Sequence, residues 1–350
     1  MNRFIFSFFA IFTLLLAGTA QAQQARKPGP PPANLLVYSL PASDAVISFD
    51  AHKFLGTALP QLLGADSPQM AKINAHIDLV KTRTGLDLRQ FEQAAVGIKY
   101  KQVSATEVDF EPLILASGKF NAGAILALVK IAANGKYREE QAGGKAVYVL
   151  QLSEILAEVQ GQNPGKSSGV EKMVEKMLRA FSGEFAVGAL SDNTLAMGSL
   201  ARVQETFSRS TPLSAELKTM VNAKPAAVLS FAGNMPAGMS KMFGLENDEI
   251  AKTVDSIKNL FGYLDMNAGN AAIMLGAKTL SADQAQTLEE TILGFKMLGK
   301  AFIGTIKGSA AEREMYSRMV DNAKVSRTGT LVQIDLLIPQ SDLSILAKKL

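Results

Sequence analysis

The chain has 350 residues, 36 Lys and Arg against 32 Asp and Glu, 47% hydrophobic residues, 7% aromatic residues and no cysteine or tryptophan. The missing thiol excludes disulfides, a lipoprotein anchor, thiolate metal sites, iron–sulfur ligation and a cysteine nucleophile. A net charge of +4 over this length offers no clustered cations and few stacking platforms, which argues against nucleic acid as a partner.

Residues 1–22 read as a signal peptide. One charge, Arg3, precedes an apolar run from Phe4 to Ala17, and Ala20-Gln21-Ala22 has the small residues of a cleavage site. The run is shorter than the ~20 residues a spanning helix needs, so the expected product is not an integral membrane protein once the signal is removed. Residues 23–34 follow as a linker whose Pro28-Gly29-Pro30-Pro31-Pro32 favours an extended spacer.

The first predicted elements are a β-rich segment from Leu35 to Leu40 and a strand from Ala45 to Phe49. A helix follows that Pro60 should kink or end. Ser67-Pro68 opens the next helix, with Met70, Ile73, Ile77 and Val80 as its buried stripe and Gly85 as its stop. Strands are expected over 94–100 and 112–120, then a helix capped by Asn121 and closed at Asn134-Gly135.

Gly143-Gly144 joins two strands as a hairpin, and Ser191-Asp192-Asn193 joins two more. Between these hairpins lie a polar loop, 160–169, and an amphipathic helix on Val170, Met173, Val174, Met177 and Leu178. A short helix over 200–207 and a segment through 217–221 close the first half. In the second half, Ile250, Val254, Ile257 and Phe261 share one helical face, and 271–277 is a strand. Ser281 with Gln284 and Ser309 with Glu312 have capping-box spacing. A Gly329 turn then leads to a strand over 331–338.

Ala45-Val46-Ile47-Ser48-Phe49 is echoed by Ala227-Val228-Leu229-Ser230-Phe231, displaced by 227 − 45 = 182 positions. Ala94 with Ala271, and the phrase at Gly144 with that at Gly329, give offsets of 177 and 185. The fold class read from this is α+β, with two related halves, 35–222 and a shorter 223–350, each a mostly antiparallel sheet packed with helices. The phrases Leu40-Pro41 with Asp44-Ala45-Val46, and Thr84-Gly85-Leu86-Asp87-Leu88 through Ala95-Val96-Gly97-Ile98, resemble exported bacterial proteins of little-characterised function that carry a signal peptide and repeated α+β halves. That resemblance implies an envelope or extracellular location and supplies no catalytic residues.

The motifs with chemical meaning are incomplete. Gly161 to Ser167 has three residues between its glycines where a phosphate-binding loop has four, and follows a helical pattern instead of a strand. Ser191-Asp192-Asn193 lacks the Ser-x-x-Lys and Lys-Thr-Gly of penicillin-recognising enzymes, and Gly238-Met239-Ser240 is not followed by x-Gly. The chain has two histidines, too few for a zinc site unless carboxylates complete it. His76 reads as a surface residue. His52 lies near Asp50, so an Asp-assisted base is one reading, against Asp50 as a helix N-cap. Glu139-Glu140 and Glu289-Glu290 are sequence neighbours that point different ways.

Residues 281–306 form a long helix that is apolar almost all round, with Lys296, Lys300 and Lys307 toward its end. Burial as core is the leading expectation. The alternatives are an apolar ligand groove lined by Leu288, Ile292, Phe295 and Phe302, or a membrane-surface helix. With no complete catalytic set and no cofactor motif, the sequence points to a non-catalytic binding or interaction protein of the bacterial envelope. Its partner is left open between an envelope protein and an apolar ligand. A hydrolase whose site assembles only in three dimensions, favoured if Asp50 and His52 meet a serine or another carboxylate, and a structural envelope component are the competing readings.

Overall fold

The echoed strand, β1 (Ala45–Asp50), lies in the interior of a large sheet. The computed structural model describes residues 34–104, 108–151, 184–208, 211–236, 238–242 and 247–347. Among them, twelve strands form one antiparallel sheet. The others are β2 (Phe91–Gln102), β3 (Val108–Gly118), β4 (Tyr137–Ala142), β5 (Lys145–Gln151), β6 (Glu184–Ser191), β7 (Thr194–Gly198), β8 (Leu229–Asn234), β9 (Ile257–Asn267), β10 (Asn270–Thr279), β11 (Lys324–Thr328) and β12 (Leu331–Ile338). Their spatial order is β11-β12-β10-β9-β8-β1-β2-β3-β7-β6-β5-β4. The chain is therefore α+β, and the sheets of its two parts join edge to edge instead of standing apart.

The junction is the echo itself. β1 and β8 pair antiparallel with Ser48 opposite Ser230, and 230 − 48 = 182 is the displacement read from the sequence. A local two-fold axis between these serines carries each echo residue onto its counterpart. Counted outward from that axis, β2, β3, β7 and β6 have the same rank as β9, β10, β12 and β11. The other two sequence matches join strands of different rank: Ala94 is in β2 and Ala271 in β10, while Gly144 precedes β5 and Gly329 precedes β12. Short β phrases share alternation whatever their place in a sheet, so those two likenesses carry no positional information.

Alternating side chains feed two cores. One face of the sheet contributes Phe49, Ala94 and Ile114, covered by three helices of the first part. These are α1 (51–63), α2 (Pro68–Thr84) and α3 (Ala122–Ala133). The opposite face contributes Val46, Ala95, Leu113 and Ala232, covered by Leu36 and Val37 and by α4 (Leu200–Phe207) and α5 (Ala215–Val221). The remaining helices are α6 (Met239–Met242), α7 (Asp248–Asp255), α8 (Ala282–Phe302), α9 (Ala310–Asn322) and α10 (Gln340–Ala347).

Many of the predicted ends are in place. Ser67 Oγ accepts from Met70 N–H at 3.1 Å and Gly85, at φ 74°, stops α2. Asn121 caps α3, and Asn134 ends it in the left-handed region. Gly143 and Gly144 both have positive φ between β4 and β5. Both outer strands carry charge, with Arg138, Glu139 and Glu140 on β4 and Lys324 and Arg327 on β11. Such residues discourage further strands from adding to an open edge.

Three expectations change and one element is new. Leu35–Ser39 is a 3-10 turn, not a strand: Asn34 accepts from Leu36 N–H and donates to Ala94 O at 2.8 Å, which folds the segment onto a sheet face away from any strand partner. Pro60 does not end α1. A wide turn over Phe54–Ala58, where Leu59 N–H reaches Phe54 O, relieves the clash that proline normally makes, and the helix runs to Gly64. Ile257 and Phe261 belong to β9, because α7 stops at Asp255. The helix α10 is additional. The signal, the spacer up to residue 33, the loop 160–169 and the helix at 170–178 lie outside the described residues.

Candidate functional site

The Asp50 and His52 pair does not assemble a base. Asp50 Oδ1 accepts from Lys53 N–H at 2.7 Å and so caps the first turn of α1. Burial pushes its carboxyl above the ordinary range, against the opposing pull of the Lys53 amide and of the His52 and Lys53 charges. His52 is exposed. The group that does reach inward is Lys53, which the sequence did not single out. Its ammonium pairs with the buried Asp265 of β9 and donates to Ala226 O at 2.5 Å, just ahead of β8. Asp265 also accepts from Met266 N–H at 2.9 Å and Asn267 Nδ2 at 3.0 Å. Every donor around it is a structural tie.

Two other polar clusters are also self-satisfied. Buried Ser240 donates through Oγ to Asp255 at 2.7 Å and through N–H at 2.9 Å, joining α6 to α7. It has no histidine to take its proton: His76 contacts Lys72 O on α2. A shallow hollow at the β4 edge is lined by Lys136, Tyr137, Arg138, Val149 and Gln151. Arg138 there is taken by Glu184 at 2.7 and 3.0 Å and by Glu140 at 3.0 Å. Among the described residues no three His, Asp or Glu side chains converge on a point that could hold a metal ion.

The feature that no internal contact absorbs is on α8. Ser281 Oγ accepts from Gln284 N–H at 3.3 Å, but Gln284 Oε1 is buried without a partner, so only half of the expected capping box forms. The box at Ser309 and Glu312 is complete. Ala285 and Leu288 are buried against Ala277 of β10 and Val332 of β12, with Ile292 and Val325 packed beside them. Glu289 accepts from Arg327 at 2.9 Å, fixing α8 along β11. Farther on, Lys296 donates to Ala323 O at 2.5 Å, Lys300 pairs with Asp321 at 2.6 Å and Ile303 is buried.

Those positions mark one side. At ~100° per residue, 285, 288, 292, 296 and 303 lie together. The rest of the circumference beyond Ile292 carries Leu293, Phe295, Met297, Leu298 and Phe302, which with Ile306 are 40–74% exposed. Fifteen large apolar residues are exposed among those described, and these are six of them, so the exposure is concentrated in one place. Gly294 has nothing within 4 Å of where a side chain would stand, and it falls within the same arc. The open arc covers roughly 240°.

The four residues expected to line a groove are thereby parted. Leu288 and Ile292 hold α8 to the sheet, whereas Phe295 and Phe302 face outward. The helix is also not core throughout, as its all-round apolarity had suggested. Sequence patterning shows which residues want burial, and here nothing within the described chain supplies it.

No family model matches the sequence, and no curated protein matches it. Two crystal structures of TP0453 are similar in fold. Form III has a TM-score of 0.42 and 10% identity over 93% of this chain and 100% of that one. Form I has a TM-score of 0.40 and 10% identity over 91% and 98%.

Proposed function

We propose that the chain is an exported, non-catalytic binding protein of the bacterial envelope, and that the open arc of α8 is the surface through which it binds. The observation carrying this reading is the collection of six large apolar side chains on one uncovered stretch. A soluble surface rarely leaves so contiguous an apolar area without a use. Full burial of a Leu, Phe or Met side chain contributes ~1.5–3 kcal/mol. Covering the exposed half of six such groups therefore amounts to roughly 5–9 kcal/mol before ordering costs are subtracted. No described helix is long and apolar enough to cross a membrane.

The test is binding of an environment-sensitive apolar dye to the native protein, compared with the Phe295→Ser/Phe302→Ser variant. The reading expects enhanced fluorescence that the double substitution removes, with unchanged circular dichroism because both rings are exposed. Measurable hydrolysis of an ester or glycoside panel, abolished by His52→Ala, would overturn it in favour of an enzyme.

A further inference from the structure

We infer that the partner of this arc is an anionic lipid surface, and that α8 enters a single leaflet of it. The inference rests on the reading of α8 as the binding surface and adds the chemistry of what it meets. Three observations select lipid over protein. First, the arc runs around most of the helix. A protein would need a deep sleeve to cover roughly 240° of circumference, whereas acyl chains close around a helix without shape complementarity.

Second, between Glu290 and Glu312 the chain carries Lys296, Lys300 and Lys307 and no acid. Of the charges facing this stretch from neighbouring elements, Asp321 takes Lys300, and Glu312 accepts from Ser309 N–H. Arg313 donates to Gly308 O and adds a further cation. Lys300 borders the open arc and Lys307 follows it, both exposed, where long side chains can extend to headgroups while the rings beside them go deeper. The same charge disfavours a second copy of the chain, which would set two cationic stretches together.

Third, the length suits one leaflet. Leu293 to Phe302 is ten residues, ~15 Å of helix, about half of the ~30 Å hydrocarbon thickness. Gly294, with nothing within 4 Å of where a side chain would stand, leaves a gap between the bulky groups that a chain can occupy.

The absence of cysteine makes the experiment direct, since one introduced thiol is unique. A polarity-sensitive fluorophore on Met297→Cys, the most exposed residue of the arc, is compared with the same label on Glu139→Cys at the far edge of the sheet, using the full chain and vesicles of phosphatidylglycerol with phosphatidylethanolamine or of phosphatidylcholine alone. The expected result is a blue shift at 297 and none at 139, with anionic vesicles only. Phe295→Ser/Phe302→Ser should weaken apparent vesicle affinity at least tenfold. Lys307→Glu, or raised salt, should weaken it several-fold.

No shift with anionic vesicles, an equal shift with phosphatidylcholine, or a shift that survives the double serine substitution would overturn the lipid assignment. If vesicles give nothing but the apolar dye still binds at the arc, the binding reading stands without lipid; if the dye fails too, both fall. A blue shift that grows with protein concentration in the absence of lipid would make a second copy the partner.

Discussion

Lys53 ties the two parts of the chain together at one point. It stands on the first turn of α1, yet its ammonium is held by Asp265 of β9 and the carbonyl of Ala226. Removing one member of a buried pair leaves an uncompensated charge, at a cost of about 3 kcal/mol or more. Lys53→Met is therefore expected to lower stability by about that amount in urea titrations, and Lys53→Met/Asp265→Leu by clearly less than the sum of the single changes. Asp50 behaves in the opposite way. Its folded pKa is raised above the ordinary 3.8 by burial, so the folded chain holds this proton at a pH where the unfolded chain has released it. That contribution is fully present below 3.8 and is lost as the pH rises through the raised folded value. Asp50→Asn keeps a competent cap and removes the buried charge. It should leave stability at pH 7 unchanged or higher by under about 1 kcal/mol, and chemical denaturation should show the variant losing stability relative to the parent at pH 3 and not at pH 7.

At the scale of elements, close backbone approach matters as much as capping. Phe261 of β9 lies over Gly276, its direct partner on β10, and an added Cβ at 276 would stand 2.5 Å from the ring. Gly276→Ala should therefore displace a buried ring and cost about 1–3 kcal/mol, read as a lower urea midpoint; Phe261→Leu in the same chain should recover part of it. The ends of α2, α3 and the β4–β5 hairpin were legible because each depends on one or two residues with a local job: Ser67, Asn121, Asn134, Gly143 and Gly144. β9 was not legible, because Ile250, Val254, Ile257 and Phe261 happen to keep helical spacing across the Asp255 boundary. Leu35–Ser39 misled for a different reason. Its composition suits a strand, but strands need a neighbour, and Asn34 commits it elsewhere. The apolar character of α8 was plain in the sequence and its exposure was not, since a helix that is apolar all round looks the same whether its partner is its own chain or something outside it.

For the whole molecule, the seam between β1 and β8 is the organising contact. Its register repeats the displacement of the two echoed phrases, and the shared sheet sets how far residues 35–222 and 223–350 can act alone. Each half by itself would expose a six-residue strand at what is now the middle of a sheet, with apolar groups on both faces. We expect residues 223–350 expressed alone to be aggregated or unfolded by circular dichroism and sedimentation, and co-expression with 35–222 to restore a soluble 1:1 complex. A monomeric, cooperatively unfolding C-terminal fragment would show that the seam is dispensable. The seam also sets the order in which the fold can close. β1 emerges near the start of the chain, but the strand that shields its second edge ends at Asn234. During synthesis the middle of the sheet therefore has a bare flank for almost two hundred residues, and loop closure over that distance is slow. A factor that keeps the arriving chain extended would serve this protein more than one whose neighbouring strands are made in succession.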